Sequence, residues 1–302
     1  MAIKNFEELK KMASSAEKRT VAVACAHDAH TLEAVLKAHE EGLLDYILIG
    51  KEDEIVEKSK LHGTSVSREN IVNCESDELC AAEAVKLVNE GKADFIQKGL
   101  MQTATLLKAV VNKETGLNQG RSISHVALID IPKYHKIMGV TDGGMIMYPN
   151  LEQKKDIVLN AIEMFHGLGY EEPKIAALCA VETVNPKMPE TLDAQALKEM
   201  AASGEIAGCC IEGPISMDLA VSREAAAVKK YDSPVAGDAD ILLVPSIYTG
   251  NIMVKALIEF AGTLMAGCVI GAKCPIALNS RSASFEEKYY SLLACSMMVE
   301  KK

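Results

Sequence analysis

Residues 20–49 read TVAVACAHDAHTLEAVLKAHEEGLLDYILI, and this stretch decides the fold class. Thr20–Cys25 and Asp45–Ile49 are short apolar runs, and Thr31–Glu41 between them carries apolar residues at helical spacing. Strands that are apolar throughout are buried on both faces, so their alternation with helices indicates a parallel sheet covered on both sides. The rhythm continues outward: Asn70–Asn73 and Ala93–Gln97 read as strands, Glu52–Leu61 and Asp77–Asn89 as helices. Upstream, Met1–Met12 reads as an amphipathic helix.

The rhythm breaks between Gly116 and Asn150. Here Ser124–Ile131 and Lys136–Thr141 read as strands joined through Pro132, and Asp142-Gly143-Gly144 as a turn. A long helix follows at Leu151–Leu168, and then a second alternating series begins. It comprises strand Lys174–Ala180, helix Asp193–Ala202, strands Gly208–Ile211 and Ile241–Pro245, helix Asn251–Ala266 and strand Pro275–Asn279. The last helix, Phe285–Val299, follows this series and is expected to return to the first domain. The expected architecture is α/β, with two α/β domains: residues 1–133 plus 280–302, and residues 134–279, with a cleft between them.

The length of 302 residues supports two domains, being about twice the usual domain size. A net charge of −10 repels nucleic acid and anionic membrane, so any anion site must be built locally. With aromatics at 4% and no Trp, base-stacking platforms are also excluded, and no nucleic-acid partner is expected. The N-terminus has no signal-peptide core and no stretch gives about twenty uninterrupted apolar residues, so a cytoplasmic protein without a membrane partner is expected. Nine cysteines, without any C-x-x-C, read as reduced and mostly buried.

No Gly-x-Gly-x-x-Gly follows a strand and no P-loop occurs. The chain offers instead strand-to-helix turns rich in small and hydroxyl residues, where unpaired helix amides and the helix dipole attract anions. In Val244–Asn251, Gly250 lets amides approach a ligand and Thr249 or Asn251 can donate a side-chain bond, although Thr and Asn are also ordinary helix caps. In Glu212–Asp218, Pro214 and Ser216 fit a capped helix start, and Asp218 either meets a ligand or complements the dipole. In Pro275–Glu287, Ser280-Arg281-Ser282 fills the turn before the last helix, and an arginine there suits bidentate binding of an anion. Glu287 beside it reads either as a general base or as the acidic half of the capping box Ser284-x-x-Glu287. Lys98, after the strand Ala93–Gln97, reads as a ligand cation or as a surface lysine. His27 and His30 lack a third ligand at metal-like spacing, and no metal site is expected.

With these residues in view, the chain resembles the phosphate acetyl/butyryltransferase family over nearly its whole length. The matching segments are Ala93-Asp94 with Lys98-Gly99, the helix start at Thr103, Glu212-Gly-Pro-Ile-Ser-Met-Asp218, Pro-x-x-x-Thr-Gly-Asn at Pro245–Asn251, and Pro275–Ser284. Their order along the chain also agrees with the family. The resemblance implies two α/β domains of the isocitrate-dehydrogenase-like type with the active site in the interdomain cleft, and a homo-oligomer. It implies acyl transfer between coenzyme A and phosphate without metal or prosthetic group: acyl-CoA and phosphate are the partners, and there is no cofactor. The family's serine–arginine pair maps onto Ser280 and Arg281, and its catalytic carboxylate onto Glu287. Thr249, Gly250, Asn251, Ser216, Asp218 and Lys98 are the expected phosphate and CoA contacts.

The departures favour the butyryl branch over the acetyl one. Acetyl enzymes carry Asp where this chain has Glu212 and Glu287, and His-Thr-Thr-Ala-Asp with a following Arg where it has Met101-Gln-Thr-Ala-Thr105 and Lys108. The expected reaction is butyryl-CoA plus phosphate giving butyryl phosphate plus CoA in a ternary complex. An acyl-cysteine route through Cys179, Cys209 or Cys268 lacks a paired basic residue. The rival readings are an acetyl-CoA-specific enzyme, a non-catalytic acyl-CoA-binding domain, and a metal-dependent decarboxylating dehydrogenase, which would want clustered aspartates.

Overall fold

The computed structural model describes residues 2–61 and 66–299. Two compact units divide the chain: a central unit of Met1–Phe6 and Ser122–Met265, and a terminal unit of Glu7–Arg121 and Ala266–Lys302. The changeovers thus fall near 121 and 265 rather than at 133 and 279. Strand pairing explains both shifts. Ser124–Asp130 pairs with Met138–Thr141 in the central unit, and Ile276 and Ala277 pair with Ile96 and Gln97 in the terminal one. Residues 1, 62–65 and 300–302 of the expected first domain lie outside the described residues.

The terminal unit begins with α1 (Phe6–Ser14) and alternates β1 (Arg19–Ala24), α2 (Ala29–Glu40), β2 (Leu44–Gly50), α3 (Glu52–Leu61), β3 (Ile71–Asn73), α4 (Asp77–Asn89), β4 (Phe95–Lys98) and α5 (Thr103–Val110). Strands β1–β4 are parallel, with β1 between β2 and β4. Chain direction therefore reverses at β1: the path runs outward through β2 and β3, then returns to the other side as β4. In open α/β sheets such a switch point leaves a crevice at the carboxyl ends of the strands. Asp28 caps α2 by accepting from the Thr31 amide at 3.2 Å, and Ser76 caps α4 through the Leu79 amide at 3.3 Å.

The central unit contains β5 (Ser124–Asp130), β6 (Met138–Thr141), α6 (Leu151–Gly167), β7 (Lys174–Leu178), α7 (Pro189–Ala202), β8 (Cys210–Ile215), α8 (Met217–Val221), α9 (Arg223–Lys229), β9 (Ile241–Leu243) and α10 (Ile247–Ala261). Its strands run in the order β5-β6-β9-β7-β8, all parallel except for the β5–β6 pair. Met138, Val140, Ala176, Leu242 and Ile215 share one face of its core. An N-terminal capping box between Asn150 and Gln153 opens α6.

After α10 the chain forms β10 (Leu264–Ile270), β11 (Ile276–Ala277) and α11 (Phe285–Met298). The expected helix Asn251–Ala266 is corrected here: it starts four residues earlier and ends at Gly262, whose φ of 62° closes it as a left-handed cap. The next element is a strand, β10, antiparallel to β11, which in turn pairs in parallel with β4. Helix α11 packs in the terminal unit, where Lys288 reaches Asp28 and Tyr290 reaches Glu7. Among the described residues no helix is long and apolar enough to cross a membrane. All nine cysteines are free thiols, six of them buried.

Candidate active site

In the terminal unit the candidate residues gather at the carboxyl ends of β1, β4 and β11. Lys98 closes β4 and is only 4% exposed, so it is not a surface lysine. Its Nζ donates to the carbonyls of Gly99 and Met101, both at 3.2 Å. Burial lowers its pKa below the usual lysine range, and the nearby charges of Lys288 and Arg281 push the same way against Asp28. Gly99 is required at its position by close approach: a Cβ there would stand 2.2 Å from the Cys25 carbonyl oxygen.

The loop after β11 carries Ser280 and Arg281, both exposed. Asn279 pins its start by donating to Ser291 Oγ at 2.9 Å. Within the turn the Ser280 and Ser282 hydroxyls lie 3.0 Å apart, and the Ala283 amide donates to the Ser280 carbonyl at 3.1 Å. The capping box before α11 is formed: Ser284 N donates to Glu287 Oε2 at 2.9 Å, and Glu287 N to Ser284 Oγ at 3.2 Å. Burial raises the Glu287 pKa, the bond from Ser284 opposing it. The box leaves Oε1 of Glu287 outside it.

Sequence reading missed two residues of this cluster. Lys288 is buried and donates to Asp28 Oδ1 at 2.8 Å and to Thr31 Oγ1 at 2.9 Å. Burial would raise the Asp28 pKa, but the bonds from Lys288 and Thr31 outweigh it and hold the carboxyl below its usual value. Oδ2 of Asp28 is buried without a hydrogen-bond partner. Nearby, His30 Nδ1 lies 3.2 Å from the Ala283 carbonyl, so His30 ties α2 to the Ser280–Arg281 loop rather than serving a metal. Lys288 thus pairs directly with Asp28, and Lys98 feels the charges of Lys288, Asp28 and Arg281. Lys108, in the last turn of α5, lines a separate cavity of about 420 Å³ with Glu78, Thr105 and Asn112.

The central unit treats its candidates differently. Thr249, Gly250 and Asn251 do not precede a helix but lie inside the first turns of α10, whose cap residue is Ser246. The Gly250 amide is used within the helix, donating to the Ser246 carbonyl at 3.3 Å. Gly250 instead permits a backbone contact: a Cβ there would lie 2.8 Å from Gly143 Cα. Asn251 Nδ2 donates to the Gly143 carbonyl at 3.1 Å. That glycine follows Asp142, which is buried and accepts from the amides of Gly144, Met145 and Ile146 at 2.8–3.0 Å. Burial nonetheless raises the Asp142 pKa.

Pro214 lies within β8 and not at a helix start, and α8 opens three residues after it without a side-chain cap from Ser216. The Ser216 hydroxyl faces Glu182 and Asp218, and Lys229 bridges both carboxylates at 3.1 and 3.0 Å. Bonds from Ser216 and Lys229 hold the Asp218 pKa at about 2. Ser216 and Asp218 are therefore already partnered at the surface.

The chain matches the family described as phosphate acetyl/butaryl transferase over residues 5–84 and 78–295. It belongs to that family. The phosphate butyryltransferase of Clostridium acetobutylicum is 43% identical over 300 residues, spanning 99% of this chain and 100% of that one. A probable phosphate butyryltransferase of Bacillus subtilis is 45% identical over 281 residues, 93% of each chain. Among solved structures, a branched-chain phosphotransacylase from Enterococcus faecalis superposes with a TM-score of 0.80 at 36% identity, covering 94% of this chain and 100% of that one. In this member of the phosphate acetyl/butaryl transferase family, the serine–arginine turn and the buried Lys98 belong to one compact unit, and the Thr-Gly-Asn element to the other.

Proposed function

We propose that this chain, a transferase by its family, interconverts butyryl-CoA plus phosphate with butyryl phosphate plus coenzyme A, by direct transfer while both substrates are bound. One observation carries the reading: the buried Lys98 and Lys288, the second paired with Asp28, lie in one unit with the exposed Arg281, whose charge acts on Lys98. A chain of net charge −10 needs such a local excess of positive charge to hold a phosphate.

In the forward direction a phosphate oxygen attacks the thioester carbon and a C–O bond forms. The tetrahedral intermediate then expels the thiolate as the C–S bond breaks, and the thiolate takes up a proton. Arg281 balances phosphate and oxyanion charge, Ser280 donates to the same centre, and Lys98 holds the phosphate. In reverse, Glu287 accepts the thiol proton through its oxygen outside the capping box, and its raised pKa brings it nearer the working range of a base. The Thr249 side chain, in the first turn of α10, is kept as a phosphate or CoA contact, whereas Gly250 and Asn251 act by holding Gly143. Burial raises the thiols of Cys179 to about 11 and Cys209 to about 12, which supports direct transfer over an acyl-cysteine. Among the described residues no cluster of three or more His, Cys, Asp or Glu is arranged for a metal ion, and the reading uses neither metal nor cofactor. It further includes a cytoplasmic, homo-oligomeric enzyme of butanoate metabolism.

The likeness to a branched-chain phosphotransacylase favours isobutyryl-CoA as the second reading. One methylene in a pocket is worth about 1–3 kcal/mol, so loss of thioester absorbance should be at least about tenfold faster with butyryl-CoA than with acetyl-CoA. It should also require phosphate. Fastest loss with isobutyryl-CoA moves the assignment to branched acyl groups, and fastest loss with acetyl-CoA moves it to the acetyl branch. No phosphate-dependent loss with any of the three leaves an acyl-CoA-binding protein.

A further inference from the structure

Ser291 takes no part in the reaction above, yet three elements of the terminal unit meet at its hydroxyl. It lies in α11, one turn after Glu287, and is wholly buried. Its Oγ donates to the Glu287 carbonyl at 2.6 Å. It accepts from Asn279 Nδ2 at 2.9 Å, after β11, and from the Gly267 amide at 2.8 Å, in β10. A hydroxyl has one hydrogen to give and two lone pairs, so the bonding of Ser291 is complete.

A serine inside a helix commonly bonds back to a carbonyl one turn earlier, and that bond is local. Ser296 of the same helix does this, donating to the Leu293 carbonyl at 2.8 Å. Ser291 differs because both of its acceptor positions are filled from outside the helix. The circuit then closes on itself. The Leu278 amide donates to the Gly267 carbonyl at 2.9 Å, so residues 278 and 279 are held by β10 on one side and α11 on the other. Asn279 is 5% exposed, and its Oδ1 is buried without a partner. Its amide is therefore held through Nδ2 alone, which also makes a longer contact of 3.4 Å with the Glu287 carbonyl. From Asn279 the chain carries Ser280 and Arg281 around an exposed turn and comes back to the same hydroxyl at Glu287.

We propose that Ser291, acting through Asn279, is a positioning residue for acyl transfer, fixing the Ser280–Arg281 turn and Glu287 relative to each other. Both side chains are buried and reach the substrates only through the residues they hold. The effect on rate rests on the roles given above to Ser280, Arg281 and Glu287; the buried hub itself does not. Charge-balancing and proton-accepting groups must meet at one thioester, and a misplacement of about 1 Å costs up to about 10²-fold in rate.

The test uses the full-length protein and its Asn279→Ala, Ser291→Ala and Ser296→Ala variants. Asn279→Ala cuts the tie to the turn and leaves Ser291 bonded to Gly267 and Glu287. It should lower kcat by about 10- to 100-fold, with KM for phosphate and for butyryl-CoA within about threefold of wild type. Ser291→Ala should lose as much, but it also strands the buried Gly267 amide. Where that variant folds poorly, Asn279→Ala carries the test. Ser296→Ala should keep the wild-type rate. Asn279→Ala combined with Arg281→Ala should lose less than the product of the two single losses, by more than about threefold, because one acts through the other. Amide hydrogen exchange over residues 280–287, read by mass spectrometry, should be about tenfold faster in Asn279→Ala and unchanged in Ser296→Ala. A wild-type kcat in Asn279→Ala, a loss confined to KM, or single losses that multiply overturns the positioning role. Unchanged exchange in Asn279→Ala overturns the hub. A wild-type protein that turns over no acyl-CoA fails the proposed function alone, since exchange still decides whether the hub holds the turn.

Discussion

The cluster at Lys98, Arg281 and Lys288 and the cluster at Ser216, Asp218 and Lys229 are built from the same kinds of side chain with opposite balance. In the terminal unit Lys288 is paired with Asp28 while Lys98 donates to the Gly99 and Met101 carbonyls, and both lysines are buried. In the central unit one lysine serves two carboxylates, and the group is largely exposed. Only the first holds a buried lysine, Lys98, bonded to carbonyls rather than to a carboxylate. An anion that enters it compensates the buried charge of Lys98, whereas an anion near Asp218 would have to displace a partnered carboxylate. Residue type does not distinguish the two turns; charge balance and burial do.

The strongest way to break this comparison is Arg281→Ala. Loss of the exposed cation should lower kcat by about 10²–10³-fold, the cost typical of one oxyanion-stabilising donor, with an unchanged melting temperature. Near-wild-type turnover would remove the terminal cluster from the site. Glu287→Gln comes next and separates its two readings, because the amide oxygen can still accept from the Ser284 amide. The thiol-consuming direction should fall by about 10²-fold, within the range for a lost general base, while thermal stability holds. Burial penalises the charged form of Glu287, so that cost appears as pH rises through its raised pKa and is absent in the Gln variant. A variant that loses stability and keeps its rate would leave Glu287 as a cap only.

Lys98 sharpens the contrast through pH. With its pKa depressed, its charge is lost at lower pH than the ordinary 10.5. The KM for phosphate should therefore climb on the alkaline side before an ordinary lysine would titrate, and Lys98→Met should remove that limb while raising KM about tenfold. The smallest effect is expected at Asp218→Asn, with less than a twofold change in either kinetic constant at neutral pH. The Asp218 carboxyl is held at about 2, so its contribution to stability is present above the ordinary value of 3.8 and fades only as pH falls through 2.

The alternation of apolar runs and helices was legible because strand burial and helix spacing are local patterns. Residues 20–49 alone announce β1, α2 and β2 within a residue or two. Helix α10 was misplaced because apolar residues continue through Gly262 into β10, so periodicity saw one helix. The Gly262-Thr263 step was the available signal. The Ser280–Arg281 turn and the capping box at Glu287 were also readable, being contiguous. Asp28 and Lys288 were not, because 260 residues separate them and only the packing of α11 against α2 brings them together.

The contact between Gly143 and Gly250 constrains what this chain can become. A Cβ on either residue strikes the other's backbone, at 3.0 Å from the carbonyl carbon of Gly250 or 2.8 Å from the Cα of Gly143. A side-chain clash is open to repair by a smaller neighbour, but here the neighbour is already as small as a residue can be. A smaller partner at the other position is not available, so a side chain at 250 must shift the backbone, and one at 143 is accommodated only if that backbone yields by a few tenths of an ångström. The seam between the Asp142 loop and α10 can be redesigned only by moving the main chain itself.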